Sequence, residues 1–384
     1  MMIQGIVFVI ISYLICLLLH IILPSRKVIG YCCDNNNQPL VYRLNGINIY
    51  FIMCGIFLLL PENYQVILYD YQISSLFTAN IIGLIVSLFF YLRGGQEKYQ
   101  RCVTKDQLTN LKQLKLTDHK IKLNVFTRFF LGHEWNPRFG NVDVKMWLYI
   151  VGAVGLQLNI LSCVIKQHIL MGRSNLSNAM IVYVIMFAWF IIEYLCFEEI
   201  HLYTYDLFAE KLGFKLAWGC LVFYPFFYAI GCRQLVSIPL QQDVSISQII
   251  IILITFFSGW LITRGANLQK FYFRTNPTSD TFFFGLIKQR TIPGTRILCS
   301  GYWGLARHFN YFGEILQGLA LALPGFFLAD TNMYRIIPML YPLYYSILFV
   351  TREIDDNTVC QMKYGKNWDL YCKKVKSRII PGIY

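Results

Sequence analysis

Long apolar stretches alternate with short polar segments along almost the whole chain. A helix that crosses the hydrocarbon core of a bilayer needs about 20 mainly apolar residues. The pattern predicts an all-α polytopic membrane protein with nine or ten transmembrane helices, organised as one membrane domain over residues 1–384. The nine predicted spans are residues 3–24, 47–60, 76–92, 146–165, 178–198, 213–232, 245–263, 312–328 and 336–350.

Composition and charge agree with this prediction. Hydrophobic residues make up 56% of the chain and the mean hydropathy is +0.48, whereas a soluble domain contains roughly 45–50% apolar residues. The net charge is +13, and 25 of the 34 Lys and Arg residues lie in segments 93–145, 264–308 and 351–384. The positive-inside rule predicts that these three segments face the cytoplasm. Because the charge is divided among short loops, it does not indicate a nucleic-acid partner.

Two familiar kinds of site are not indicated by the motifs. The twelve cysteines include no C-x-x-C pair, which is the spacing typical of zinc and redox sites, and no metal site is predicted. The chain also lacks a G-x-G-x-x-G motif between a strand and a helix. Any dinucleotide must therefore be bound by helices and loops, and not by a Rossmann fold.

Ionisable residues at the ends of predicted spans are the main candidates for function. A charge in hydrocarbon costs about 2.5–3.5 kcal/mol, so such groups generally face a polar cavity or a partner. Arg352, Asp356, Cys360 and Tyr364 are spaced four residues apart after the last span, which places them in one stripe on a helix. The alternative is structural: an ion pair between Arg352 and Asp356 that caps the span, with Tyr364 at the membrane interface.

Two further polar groups fall on the same predicted face of the membrane. Lys270 and Arg274 follow the seventh span with the same four-residue spacing, although orientation by the positive-inside rule also explains two cations there. A third, denser group precedes the eighth span. Together these groups supply the cations that a pyrophosphate and a 2′-phosphate require. The third group consists of Trp303, Arg307, His308, Asn310, Tyr311 and Glu314.

Five segments resemble, in the same order, the sterol reductases, which are membrane enzymes that use NADPH to saturate one double bond of a sterol. This family includes Δ14, Δ7 and Δ24(28) reductases and the sterol reductase domain of the lamin B receptor. Its usual motif SGWWG-x-x-RH-x-NY-x-GD is changed here at Tyr302 and Glu314, where Trp and Asp are commoner. The matching segments are TRFFLGHEWNPRFG, RGANLQKFYFR, SGYWGLARHFNYFGE, REIDDNTVCQMKYG and RIIPGIY.

The resemblance implies a fold, a cofactor and a set of site residues. The fold would have ten membrane helices, with NADPH bound in the C-terminal half, about residues 245–384, and a sterol pocket beside it. Tyr228 and Asp356 would be the catalytic pair where the two pockets meet. The implied cofactor contacts are Lys270, Arg274, Trp303, His308, Asn310, Tyr311, Arg352, Lys363 and Tyr364.

The chemistry of alkene reduction gives the implied pair a role. An unactivated double bond has no electron sink, so it must be protonated to a carbocation before a hydride can add. Tyr228 is the predicted proton donor, and Asp356 is predicted to supply its proton path and to help stabilise positive charge. The string WGCLV at Trp218 to Val222 and the RIIPGIY ending favour Δ7 reduction, with Δ14 and Δ24(28) left open. Pro225 is predicted to kink the helix that carries Tyr228.

Two other functions stay open at this stage. Isoprenylcysteine carboxyl methyltransferases share an RH-x-x-Y element, but they use S-adenosylmethionine and would not carry the LGHEWNPR segment. A non-catalytic sterol-binding membrane protein would need neither the acid nor the cofactor cations. The predicted partners are a sterol and membrane lipid, with no protein partner indicated. The predicted location is the bacterial inner membrane or the endoplasmic reticulum.

Overall fold

Helices dominate the computed structural model, which describes residues 2–34, 38–93, 124–173, 175–204, 207, 210–239, 241–276 and 278–384. The polar connection predicted from Gly94 to Phe126 lies outside the described residues as far as residue 123. In the described part of the chain, nine long helices occupy the nine predicted spans. They are α1 (Met2–Ile22), α2 (Gly46–Leu59), α3 (Gln72–Arg93), α4 (Val144–Leu170), α5 (Asn178–Cys196), α6 (Phe214–Leu235), α7 (Ile246–Thr275), α8 (Phe309–Phe327) and α9 (Asn332–Tyr364).

The predicted all-α polytopic membrane fold is confirmed. Among the described residues, seven of these helices are long and apolar enough to cross a bilayer, namely all except α2 and α8. Helix α2 has only 14 residues. Helix α8 has 19 residues and carries Asn310, Glu314 and Gln317 within its apolar sequence. A total of ten spans stays a prediction.

Helices α7 and α9 extend well beyond the spans predicted from hydropathy. Helix α7 has 30 residues and α9 has 33, whereas the apolar runs end near residues 263 and 350. The charged and polar residues that follow are compatible with a helix, so the backbone continues until a residue stops it. Helix α9 stops at Gly365, which has a φ of +52°. The stripe of Lys270 and Arg274 therefore lies on α7 itself, and the stripe from Arg352 to Tyr364 lies on α9 itself.

Short elements join the long helices. Single helical turns lie at Glu62–Gln65, Ile67–Asp70, Glu198–His201 and Tyr302–Leu305, with slightly longer helices at Val125–Leu131 and at α10 (Lys366–Lys374). Three antiparallel hairpins, which the sequence analysis did not predict, complete the described structure. They are β1 (Arg26–Cys33) with β2 (Pro39–Leu44), β3 (Arg138–Phe139) with β4 (Val142–Asp143), and β5 (Thr281–Phe282) with β6 (Ile287–Lys288).

The described residues form two compact units, Met1–Leu240 and Gln241–Tyr384. In the first unit α4 is the most buried of the candidate spans, and α1, α2 and α6 pack against it. The hairpin β1–β2 is held at one end of this unit because Leu40 and Tyr42 pack with Met146 and Leu202. The second unit covers the predicted cofactor-binding half. The interpretation of the whole chain as one domain stays a prediction.

Helix α6, which was predicted to kink at Pro225, is irregular just before this residue. A π-helical turn, Gly219–Phe223, precedes the proline, and the regular helix resumes at Tyr224. Proline has no N–H, so it cannot bond the Leu221 carbonyl one turn earlier. The Tyr13 hydroxyl donates to this carbonyl instead, and the Asn159 side-chain amide donates to the Pro225 carbonyl at 3.1 Å. Turns of this π type occur frequently at functional sites.

Two glycines bring α7 and α8 into close contact in the second unit. A Cβ atom on Gly313 would lie 2.5 Å from the Gly259 carbonyl oxygen, and one on Gly259 would lie 2.6 Å from the Gly313 carbonyl oxygen. Only hydrogen atoms fit between these backbones. The contact fixes the spacing of α7 and α8, which carry Lys270 and His308 at their ends.

Gly313→Ala should lower the free energy of unfolding by about 1–3 kcal/mol, because the added methyl group must push two backbones apart. Gly55→Ala is the matched control, since a Cβ atom on Gly55 meets nothing within 4 Å. Thermal unfolding in detergent checks both variants. An unchanged midpoint for Gly313→Ala would contradict the close crossing of the two helices.

Candidate functional site

Lys270 and Trp303 form one wall of the candidate site. Trp303 lies in the short helix Tyr302–Leu305, and its indole N–H donates to the Ala266 carbonyl on α7 at 2.9 Å. The Tyr371 hydroxyl donates to the Trp303 carbonyl at 3.0 Å. The ring is therefore fixed, and the Lys270 ammonium lies 4.5 Å from its centroid, a favourable cation–π position.

His308 lies at the start of α8, between aromatic and charged groups. Its ring stacks on Tyr311, with centroids 5.0 Å apart and planes 10° apart, and Tyr311 stacks on Phe349 of α9. Its Nε2 is 3.7 Å from an Asp356 carboxylate oxygen. Burial lowers the pKa of His308 to about 4, assisted by the charges of Lys270, Arg307 and Arg378 and opposed by Asp356. The imidazole is therefore neutral near pH 7, and its contact with Asp356 is not an ion pair.

Asp356 connects His308 to the polar stripe of α9. Its side chain is 27% exposed, and the Cys360 sulfur lies 3.9 Å from the carboxylate, one helical turn further along. Arg274, Asp356 and Lys363 all lie within electrostatic range of the Lys270 ammonium. Charged residues of the α7 and α9 stripes therefore act on one another within the second unit.

A second set of contacts holds α10 against this stripe. The Arg307 guanidinium donates to the Asn357 side-chain oxygen at 3.2 Å and to the Cys372 sulfur at 3.0 Å. The Trp368 indole N–H also donates to Asn357, at 3.0 Å, and the Trp368 ring stacks on Tyr364. No role was predicted for Asn357 or Trp368. The available signal is that the aromatic residue Trp368 follows Tyr364 by four positions in the sequence.

The structure brings most of the predicted cofactor residues together. Direct contacts join Lys270 to Trp303, and His308 to Tyr311 and Asp356. Arg274, Lys363 and Tyr364 lie within electrostatic range of that group. Arg352 lies one helical turn before Asp356 on α9.

Among the described residues, the Asn310 side-chain oxygen and the His308 Nε2 are buried atoms of this cluster that have no hydrogen-bond partner. Buried polar atoms are normally paired, so each needs an explanation. The Asn310 backbone carbonyl is already occupied, since it accepts from the Thr263 hydroxyl at 3.1 Å. A ligand with hydrogen-bonding groups would satisfy both side-chain atoms.

The charge of the cluster favours an anionic ligand. Lys270, Arg274, Arg352 and Lys363 supply four cations on α7 and α9, against the carboxylate of Asp356. Within the described ranges, no group of three His, Cys, Asp or Glu side chains is arranged to hold a metal ion. Lys and Arg side chains are the usual ligands of phosphate groups in proteins.

Tyr228 lies in the first unit, whereas Asp356 lies in the second, so their predicted pairing stays a prediction. The ring of Tyr228 packs edge-on against Tyr224, at 4.8 Å, and against Phe223, at 6.0 Å. Its backbone carbonyl accepts from the Tyr183 hydroxyl at 3.1 Å. Aromatic faces surround this phenol, and such faces tolerate positive charge.

His308 should make the protein less stable as the pH falls from about 6.5 to about 4. The folded-state pKa is lowered to about 4, so in this window the unfolded chain binds more protons than the folded chain. The stabilisation is complete above about pH 6.5 and is lost as the pH falls. Thermal unfolding in detergent should show a steeper acid-side decrease for the wild type than for His308→Gln. Parallel pH curves would instead place the imidazole in contact with water.

Comparison with known proteins identifies relatives along the whole chain. A sequence model of the Ergosterol biosynthesis ERG4/ERG24 family matches residues 3–384. The Δ14-sterol reductase erg24 of Schizosaccharomyces pombe is 31% identical over 360 residues, which cover 92% of this chain and 79% of that protein. A Δ14-sterol reductase of Methylotuvimicrobium alcaliphilum is 33% identical, covering 94% and 79%. A Δ14-sterol reductase of Arabidopsis thaliana is 30% identical, covering 94% and 91%.

Proposed function

The chain belongs to the Ergosterol biosynthesis ERG4/ERG24 family, and we propose that it saturates one carbon–carbon double bond of a sterol with NADPH as the hydride donor. One observation carries the cofactor part of this proposal. The Lys270 ammonium of α7 lies over Trp303, and charged groups of α9 act on it beside the buried His308. Such a group of cations and aromatic rings suits a nicotinamide dinucleotide with an additional phosphate.

The residues of the second unit fit this cofactor. Lys270 and Arg274 on α7, with Arg352 and Lys363 on α9, would bind the pyrophosphate and the 2′-phosphate. The neutral His308 and the unpaired Asn310 oxygen would hydrogen-bond its polar groups. Trp303, which Lys270 covers on one face, and Tyr311 would contact its rings. The bound cofactor would supply the hydride.

The chain itself must supply the proton. We assign proton donation to the Tyr228 hydroxyl, which would protonate one alkene carbon and leave a carbocation on its neighbour. Aromatic rings around Tyr228 would stabilise that cation before a hydride adds to it. Asp356, which is partly exposed, would return a proton from water to the tyrosinate. One proton and one hydride thus complete the two new C–H bonds.

The names of the relatives bear on which double bond is reduced. All three relatives described above are named Δ14-sterol reductases, so we propose the Δ14 double bond as the first candidate. The Δ7 bond remains the second candidate because of the WGCLV segment and the RIIPGIY ending. Reduction of a Δ14 bond and of a Δ7 bond requires the proton to be delivered to carbons of different rings, so one acid at a fixed position could not serve both equally well.

The orientation follows from where NADPH is available. We propose that the basic segments, and with them the Lys270 and Arg352 ends of α7 and α9, face the cytoplasm. The sterol would enter from the bilayer, which dissolves it. This arrangement gives the water-soluble cofactor and the apolar substrate separate routes to the site.

Turnover of a defined sterol panel tests the proposal. The purified protein, in detergent or nanodiscs, is incubated with NADPH and with Δ14, Δ7 or Δ24(28) sterols, and the product is analysed by mass and by the position of the lost double bond. We expect a product heavier by two hydrogens from the Δ14 sterol. Binding of S-adenosylmethionine without NADPH would favour the methyltransferase alternative. Sterol binding without turnover would favour a non-catalytic protein.

A further inference from the structure

We infer that Arg378 and Glu353 are positioning residues for the cofactor site: they tie the segment Ser377–Tyr384 to α9 so that its backbone holds His308 in place. This inference rests on the proposed function, because His308 matters here as a contact of the cofactor. It extends the site to the segment Ser377–Tyr384.

The segment binds the backbone at the entrance to α8. The Arg307 N–H donates to the Ser377 carbonyl at 3.0 Å, and the His308 N–H donates to the Arg378 carbonyl at 2.8 Å. The first N–H groups of a helix have no partner within the helix. Here no side chain caps α8, and two consecutive carbonyls from a distant part of the chain bind the residues that lead into it.

The segment is itself a compact turn. The N–H groups of Arg378, Ile379 and Ile380 all donate to one main-chain oxygen of Tyr384, at 2.7, 2.9 and 3.0 Å. The Gly382 N–H donates to the Ser377 hydroxyl at 2.9 Å, and the Ile379 side chain is buried. Because these bonds cross-link the turn, its two carbonyls at residues 377 and 378 move together.

One ion pair fixes this turn to α9. The Arg378 guanidinium is 3.1 Å from a Glu353 carboxylate oxygen, and the Glu353 side chain is 0% exposed, whereas Arg378 is 40% exposed. Glu353 occupies the same helical turn as Arg352 and Asp356. If this pair separated, His308 could move through its hydrogen bond to Arg378, and the α9 stripe could move through Glu353.

The unequal burial of the pair predicts unequal effects of substitution. Removing Arg378 would leave a buried carboxylate without its cation, which is strongly destabilising. Glu353→Gln would exchange the ion pair for a weaker neutral hydrogen bond, so that the half-exposed Arg378 can turn towards water. Arg378→Ala should therefore lower the unfolding temperature markedly. Glu353→Gln should fold, and its main effect should be weaker binding of the cofactor.

The test measures NADPH affinity and steady-state kinetics of the full-length protein in detergent. Glu353→Gln should raise the Kd and the KM for NADPH on the order of 10–100-fold, while kcat at saturating NADPH changes only a few-fold. Arg378→Lys should restore most of the affinity lost in Arg378→Ala. Arg173→Ala is the matched control, since Arg173 pairs with Glu62 on an exposed surface of the first unit, and it should match the wild type.

The outcomes separate this inference from the proposed function. If the wild type binds NADPH and Glu353→Gln binds it equally well with an unchanged KM, the inference is wrong and the proposed function stands. If kcat falls together with the unfolding temperature while KM stays constant, the pair is merely structural. If the wild type does not bind NADPH, both fail. Should Arg378→Ala not fold, Glu353→Gln and Arg378→Lys decide the question.

Discussion

Tyr228→Phe should reduce sterol turnover by about 10²–10⁴-fold while NADPH still binds with wild-type affinity. General acid catalysis contributes a factor of this size, and the substitution removes only the hydroxyl group. The ring contacts with Phe223 and Tyr224 would remain. Because the Tyr183 hydroxyl donates to the backbone carbonyl of Tyr228, that bond would remain as well.

Tyr224→Phe is the matched control for this prediction. Tyr224 is one turn away on α6, and its ring lies 4.8 Å from that of Tyr228, so the two variants remove the same group from neighbouring positions. Single-turnover reduction of the sterol and a separate NADPH titration distinguish chemistry from binding. If Tyr228→Phe turned over at the wild-type rate, another group would have to donate the proton.

The membrane fold and the interruption of α6 could be predicted from local sequence. Apolar runs of sufficient length dictate helices in a bilayer, because every backbone polar group must be satisfied within the segment. Pro225 removes one helical hydrogen bond and so favours an interruption, and the structure shows the π-turn just before it. Proline alone does not dictate one, because Pro324, Pro338 and Pro342 lie inside the continuous helices α8 and α9. Both predictions rest on physics that acts within a few residues.

That the two stripes serve one cofactor was implied by the resemblance and not by the spacing of their residues, and it stays a prediction. A four-residue spacing places Arg352, Asp356 and Cys360 on one side of a helix, but it does not say what that side faces. The sequence also placed Lys270 and Arg274 on a segment after the span, whereas they lie on α7 itself. Hydropathy locates the apolar part of a helix but does not show where the helix continues through polar residues.

The contacts that hold the site rigid could not be predicted, because they join residues far apart in the chain. The Arg378 to Glu353 pair and the Trp368 to Asn357 hydrogen bond depend on how α9, α10 and the last turn pack. The sequence does not distinguish Glu353 from the other charged residues after the last span, because no spacing rule separates a buried carboxylate from an exposed one. Its burial appears only in the folded chain.

Asp356→Asn should lower turnover by at least about 10²-fold and leave NADPH affinity within a few-fold of the wild type. Asparagine has nearly the same shape, so it keeps the contacts near His308 and Cys360, but it cannot accept and release a proton. The variant therefore removes the proton path of the proposed mechanism. General acid–base groups typically contribute a factor of this size.

The neighbouring Asp355→Asn is the matched control, because Asp355 is exposed on α9 and carries the same charge one residue away. The Asp356 charge raises the pKa of His308 against the stronger effect of burial. Its removal lowers that pKa further, and the imidazole stays neutral at pH 7, so a loss of turnover in Asp356→Asn cannot come from a change in the charge of His308. Single-turnover rates at several pH values provide the measurement. Wild-type rates in Asp356→Asn, with Asp355→Asn equally active, would exclude the carboxylate from proton transfer and leave Tyr228 to exchange its proton with water directly.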